Sequence, residues 1–399
     1  MRHFHNCRFP HVFSSLLAAR EPFFPDFDGF PCVLVGFASS VALVIQAAGA
    51  AGASPAQTAG WIAALCVGSA VSGILLSARF RVPVITAWST PGAALLIAAL
   101  PGFSLAEAVG AFVVCGALLW LSGATGVFAR LMEKIPPAVS AGMLAGILLR
   151  FGLGVFAEPL AFNGLPLLMF ALWLVVRRVA ARYAVLAALL GGLSWVLAQG
   201  ALLPPGEAAV WAWPAPVWPA FSLSALVGVA LPLYVVTMTS QNLPGITVMR
   251  AAGFPPPVSA ALSATGLATL VLAPFGAFAV NLAAITAAMA MGEDVHPERD
   301  KRYIAGIWTG IFYVLTALCA GVVVVWFMRL PPLFVLTLAG LALIPVISAS
   351  LHLALDDGES REAAMLAFLV AASGVNLWGI GAAFWAIVVG VAVYALRKQ

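Results

Sequence analysis

Apolar residues fill this chain in blocks, and Gly, Pro or a charged residue closes each block. Roughly twenty apolar residues, wound as a helix, cross a hydrocarbon core of about 30 Å. On that measure the pattern predicts unbroken spans near 30–52, 56–78, 104–125, 136–153, 160–176, 183–200, 222–243, 257–273, 303–327, 331–353, 363–377 and 380–396. Two further blocks, 82–100 and 276–291, are apolar but punctuated in the middle, and they predict discontinuous spans. The expected fold is an all-α polytopic membrane protein of fourteen spans, with spans 3 and 10 broken.

The first broken block reads Thr86-Ala-Trp-Ser-Thr-Pro-Gly-Ala-Ala-Leu-Leu96. Before it, Val82-Pro83-Val84-Ile85 is β-branched and proline-punctuated, which favours extended backbone. Ser89 or Thr90 can cap a helix, and Pro91 suits its first turn, where no N–H is needed. Only about ten apolar residues follow before Pro101, half of what a bilayer requires. Extended backbone at that depth is tolerated only when buried in protein or facing a wet cavity. The half-helix start, with N–H groups at Thr90–Gly92, would form an anion site. A helix kinked at Pro91 is the plainer alternative. In the second block, Phe278–Val280 is compatible with extended backbone, and Asn281 is the expected N-cap of an Ala-rich half-helix. Its N–H groups at Asn281, Leu282 and Ala283 would aim a second positive end at the same point.

The halves echo one another. Pro136-Pro137 and Pro331-Pro332 are separated by the same 195 positions as Gln46 and Gln241, and the two broken spans fall at nearly that offset. Seven spans per half is an odd number, so the second half would be inverted. Inverted repeats with paired broken helices point to a secondary transporter with its site at the repeat interface.

Composition agrees with a membrane solvent: 63% hydrophobic, 9% charged, mean hydropathy +1.06. No Asp, Glu, Lys or Arg occurs in 29–78, 208–249, 251–292 or 363–396. With the N-terminus inside, nearly all Lys and Arg fall on cytoplasmic loops, including Arg130/Lys134, Arg177/Arg178/Arg182 and Arg299/Lys301/Arg302, and both termini are cytoplasmic. Arg150 and Arg329 fall at outer span ends. Residues 1–28 read as a cytoplasmic tail and not a signal peptide. The net charge of +4 reflects this loop bias and gives no nucleic-acid patch; the five cysteines have no CxxC spacing. Catalytic arrangements, metal-ligand spacing and nucleotide-binding loops are absent from the sequence, so neither an enzyme nor a cofactor is expected.

Polar residues inside the apolar blocks are the candidates for binding. Span 8 ends Ser240-Gln241-Asn242-Leu-Pro244-Gly245, where Pro244 is expected to end or kink the helix. Adjacent amides in lipid are costly unless satisfied. Gln46 could serve binding or packing equally. Phe37, Trp88, Tyr234 and Phe278 fall near these positions and could wall a ring-shaped substrate. Glu107, opening span 4, is the candidate proton carrier, with a solvated interfacial carboxylate as its plain alternative. No basic residue lies in either broken span or in span 8, so an anion would be held by neutral donors and helix ends.

Thr86-Ala-Trp-Ser-Thr-Pro-Gly-Ala-Ala-Leu, Ala141-Gly-Met-Leu-Ala-Gly-Ile-Leu-Leu-Arg-Phe-Gly, Ser240-Gln-Asn-Leu-Pro-Gly and Ala283-Ala-Ile-Thr-Ala-Ala resemble the bacterial benzoate:proton symporter family from about residue 29 to the C-terminus. That family is similar in fold to nucleobase–ascorbate transporters and sulfate permeases. The resemblance implies an inner-membrane carrier for benzoate, with protons and the lipid bilayer as its other partners; a second copy of the chain is a further candidate partner. It implies a core domain (29–127 and 221–328) and a gate domain (128–202 and 329–399), joined by an outer loop at 203–220. Ser89, Thr90, Gln241, Asn242 and Asn281 would line the site between them, with Gly92 and Leu282 alongside. Nucleobase carriers of this fold have a carboxylate in span 8 or 10. Gln241 and Asn281 stand there instead, as suits an anionic substrate that a carboxylate would repel. The alternatives are a carrier for another planar anion or a nucleobase, and an anion channel.

Overall fold

A computed structural model describes residues 29–126, 136–157, 161–204, 215–292 and 295–397. The expected tail 1–28, the Arg130/Lys134 loop and most of the loop after Leu203 lie outside the described residues. In chain order, α1 is Gly29–Ala50, α2 Pro55–Phe80, β1 Thr86–Trp88, α3 Thr90–Ala99 and α4 Leu105–Thr125. Next come α5 Pro137–Ala157, α6 Ala161–Ala180, α7 Ala184–Ala198, a long α8 Leu223–Ala251 and α9 Val258–Leu272. The second broken region gives β2 Val280–Leu282 and α10 Ile285–Ala290. The remainder is α11 Tyr303–Leu318, α12 Ala320–Met328, α13 Pro332–Asp356, α14 Arg361–Ser373 and α15 Ala382–Arg397.

Local chemistry explains the boundaries. Ser54 and Ser104 open α2 and α4 with capping boxes, closed by Gln57 and Glu107 reaching back to the cap N–H. Ala180 leaves helical geometry at φ −147°, ψ 74°, and α6 then packs on α7. Among the described residues, seven helical stretches are long and apolar enough to cross a membrane, or up to nine if each of two bent pairs counts as one span. The chain is a helical, multi-pass membrane protein.

The extended segments expected in the two broken spans pair with each other, β1 antiparallel to β2, with Thr86 opposite Leu282, Ala87 opposite Asn281 and Trp88 opposite Val280. Two expectations change. Span 8 does not stop at Pro244, since α8 continues to Ala251. Wide π turns at Leu226–Ala230 and Met238–Asn242 immediately precede the turns holding Pro232 and Pro244. Such a turn relieves the clash a proline ring makes with the carbonyl four residues back. The stretch expected as one span at 303–327 bends by 59° between Leu318 and Ala320.

Small residues set how closely the helices approach. A Cβ at Gly116 of α4 would lie 2.7 Å from the Leu270 amide nitrogen of α9, and Gly142 and Gly146 of α5 sit against the α14 backbone. Packing sorts the helices into two groups. α4 packs on α9, α2 on both α11 and α9, around the strand pair; α5 packs on α13 and α14, and α14 on α15.

Candidate functional site

Two short strands in a membrane protein need their outer edges satisfied, because lipid offers no hydrogen bonds. The inner edges are closed by Ser89 N–H donating to Ala279 O at 3.0 Å and Ala283 N–H donating to Ile85 O at 2.9 Å. On the outer edge of β1, Ser77 Oγ accepts from Val84 N–H at 3.1 Å, while Thr86 Oγ1 donates to Ser69 O at 2.6 Å. On the outer edge of β2, Thr269 Oγ1 accepts from Val280 N–H at 2.8 Å and Asn242 Oδ1 from Leu282 N–H at 2.9 Å. Side chains from α2, α8 and α9 thus hold the strand pair in place.

A cavity of about 450 Å³ lies beside that pair, between the two helix groups. The strand side contributes Trp88, Thr90, Ala283 and Thr286; α1 contributes Gly36 and Ser40; α8 contributes Thr239, Ser240 and Gln241. Ser140 of α5 and Ser350 of α13 stand on the facing group, and Tyr313 comes from α11. The wall is chiefly apolar, with side-chain hydroxyls spread over it, one amide and a guanidinium at the rim, a make-up that suits a small-molecule site. No Asp, Glu or His lines it among the described residues.

The residues expected from sequence divide into two sets. Trp88, Thr90 and Gln241 line the cavity. Ser89 is fully buried and caps α3, its Oγ accepting from Gly92 N–H at 3.0 Å, so that amide is already used. Asn242 is fully buried with both ends engaged, Oδ1 on Leu282 and Nδ2 donating to Met238 Sδ at 3.1 Å. Asn281 is not a helix cap: it lies inside β2, fully buried, and Nδ2 donates to Ala279 O at 3.3 Å. Strand pairing claims its backbone, and α10 begins only at Ile285 and runs six residues with no side-chain cap. The second helix end expected at Asn281–Ala283 therefore does not exist. Leu282 is buried in the same strand.

The other aromatic candidates stand behind the wall. Phe37 backs Trp88 edge-on at 6.0 Å between ring centres, and Phe278 packs between Trp61 and Phe112. Tyr234 shares a 2.7 Å hydrogen bond with Ser122, and Gln46 lies outside the cavity lining with a buried Nε2. Glu107 is likewise outside it, its carboxylate accepting from Ser104 N–H at 2.9 Å and Ser104 Oγ–H at 2.8 Å.

Sequence reasoning missed Ser140, Thr286, Tyr313, Ser350 and Arg182. Thr286 stands inside the Ala283-Ala-Ile-Thr-Ala-Ala motif, and Tyr313 is a phenol in the middle of an apolar span, so each carries a signal in the sequence. In the sequence Arg182 marks only a cytoplasmic loop. It reaches the cavity rim, exposed, its guanidinium 4.9 Å from the Tyr183 ring centre. The expectation of a site without any nearby base is corrected at the rim, while the strand-side wall remains free of Lys and Arg. Among the described residues, no three metal-ligating side chains cluster.

A family profile described as benzoate membrane transport protein matches residues 27–396. Inner membrane protein YdcO of Escherichia coli (strain K12) is 47% identical over 368 residues, covering 92% of this chain and 94% of that protein. The benzoate membrane transport protein of Acinetobacter baylyi (strain ATCC 33305 / BD413 / ADP1) is 39% identical over 369 residues, covering 92% and 93%. In fold, the chain is similar to SLC26A9, with a TM-score of 0.64 at 14% identity over 97% of this chain and 67% of that one. It is also similar to the transmembrane domain of the cyanobacterial bicarbonate transporter BicA, with a TM-score of 0.57 at 16% identity over 94% and 96%.

Proposed function

We propose that this chain, which belongs to the benzoate membrane transport protein family, carries benzoate or a similar aromatic monocarboxylate inward with a proton by alternating access. The family profile and the Acinetobacter relative are both named for membrane transport. The observation that carries the reading is the cavity itself: a chamber of about 450 Å³ between two helix groups, apolar enough for a ring and, among the described residues, free of carboxylates that would repel an anion.

In this reading the bilayer is crossed by fourteen spans in two inverted halves of seven. Support comes from the antiparallel strands, which centre on Ala87 and Asn281. Exchanging the halves also turns the α2–α11 packing into α9–α4, and α6–α7 into α14–α15. Residues 29–127 and 221–328 form the core domain, and 128–202 and 329–399 the gate. Trp88, Thr90 and Gln241 contact substrate. Ser89, Asn242 and Asn281 position the strands that bear the site, and Gly92 lets α3 start close to α8.

The cavity mouth is marked by exposed Ala181, Arg182, Leu243 and Leu353. Charge bias assigns the Arg177–Arg182 loop to the cytoplasm, so this conformation is inward-open. With no titratable carboxylate or imidazole on the wall, the coupled proton travels on the substrate, and one benzoate with one proton moves no net charge. Glu107, held in its capping box, is spared that role. Both termini face the cytoplasm, the membrane is the bacterial inner membrane, and the assembly is a homodimer, which the mass of the detergent-solubilised particle checks.

Labelled benzoate uptake into proteoliposomes, set against protein-free liposomes, tests the substrate. Saturable uptake inhibited by unlabelled benzoate and not by a nucleobase is expected. A linear, unsaturable flux would identify a channel instead, and inhibition by uracil alone a nucleobase carrier.

A further inference from the structure

Three side chains that line the cavity carry a buried polar atom with no hydrogen-bond partner among the described residues: Trp88 Nε1, Ser140 Oγ and Thr286 Oγ1. Buried polar groups are ordinarily paired, and one left unpaired in apolar surroundings is destabilising. Trp88 and Thr286 are only 4% and 6% exposed, so bulk solvent does not serve them.

These two belong to one corner of the chamber. The Trp88 ring meets Tyr313 edge-on at 5.7 Å between centres and Phe37 at 6.0 Å. Gly36 brings Thr286 and Tyr313 together, since a Cβ there would lie 3.3 Å from Thr286 Cγ2 and 3.5 Å from the Tyr313 hydroxyl. Ser40 Oγ is turned away to Gly36 O at 2.7 Å. An indole N–H donates and cannot accept, whereas an ionised carboxylate accepts and cannot donate. Hydrogen bonds to charged acceptors are the stronger class.

We propose that the Trp88 indole N–H and the Thr286 hydroxyl are the donors that read the substrate's carboxylate, so that they determine specificity for an anion over its neutral amide. The inference rests on the aromatic carboxylate reading above and assigns the groups that carry it. Ser140, on the opposite helix group, adds a third donor from across the cavity. Tyr313 and Phe37 fix the indole plane, so the N–H keeps its direction while the ligand ring packs on the apolar wall.

The experiment measures benzoate and benzamide binding calorimetrically on purified, monodisperse protein. Trp88→Phe keeps an aromatic ring, though a smaller one, and deletes the donor; Thr286→Val keeps the shape and deletes the hydroxyl, and Thr286→Ser retains it. Each deletion should raise the benzoate dissociation constant about ten- to a hundred-fold, as expected for one hydrogen bond to a charged group. Benzamide binding should change less than about three-fold, and Thr286→Ser should stay near wild type. Folded Trp88→Phe and Thr286→Val proteins that bind benzoate like wild type would overturn this inference alone. A wild type that binds no benzoate would overturn the substrate reading, and this assignment with it.

Discussion

The two broken regions begin alike and end differently. Both place three residues of strand at the centre of the molecule, paired with each other. After β1 the chain turns at once into ten residues of helix, capped by Ser89 and started through Pro91. After β2 it passes through Ala283 and Ala284 before six uncapped residues of α10. The helix start of the first region is therefore set by its own sequence, through a cap and a proline, although α2 holds the edge of its strand. The second is set by its neighbours, since Asn242 of α8 and Thr269 of α9 take up the β2 edge amides. The two regions thus share a strand geometry while their helices start differently, and of the two only the first has a side-chain-capped helix N-terminus.

The largest test of this contrast removes the borrowed support. Asn242→Leu strips the Leu282 N–H of its acceptor in a site closed to water, at a cost of about 1–3 kcal/mol. The detergent-solubilised variant should melt well below wild type and transport poorly. Asn281→Ala, one position along, should cost clearly less, because the Asn281 Oδ1 is already buried without a partner among the described residues. Equal melting temperatures for these two variants would break the account of β2.

Ser89→Ala comes next, expected to cost about 1 kcal/mol as the loss of an N-cap. Ser89→Asp should keep a cap acceptor yet add the cost of a buried carboxylate at this fully buried position, and its negative charge beside Thr90 should weaken anion binding. Thermal melts read the first effect, and benzoate titration the second. Smaller again is Arg182→Ala at the rim. An exposed base steers an anion in a salt-dependent way, so the variant should show a modest rise in KM that fades at high ionic strength. The smallest effect is assigned to Glu107→Gln. It weakens a capping box on α4 but should leave pH-driven uptake essentially intact.

Much of this architecture is legible in the hydrophobic pattern, because length and charge-free apolar content are what a membrane reads. The Ser89–Thr90–Pro91 start was legible for a local reason, a cap residue followed by proline. Asn281 misled for the same reason: asparagine is a favoured cap, but pairing with Ala87 decided its backbone, and strands of three residues leave no alternation to detect. Asn242 stood out as a buried amide, yet nothing local revealed that its partner would be an amide forty residues on. Thr286, Ser140 and Tyr313 were missed because a helix that is apolar all round gives no sign of which face meets the cavity.

In the proposed cycle, substrate and proton move together through a chamber whose wall, among the described residues, carries no carboxylate or imidazole. Labelled benzoate accumulation should be followed in proteoliposomes under two separate driving forces, with protein-free liposomes subtracted. An inward proton gradient at clamped zero potential should drive accumulation above equilibrium, and Glu107→Gln should match wild type. A membrane potential imposed without a pH difference should drive none, because one anion with one proton carries no charge. Accumulation driven by potential alone, or abolished by Glu107→Gln in folded protein, would contradict a substrate-borne proton.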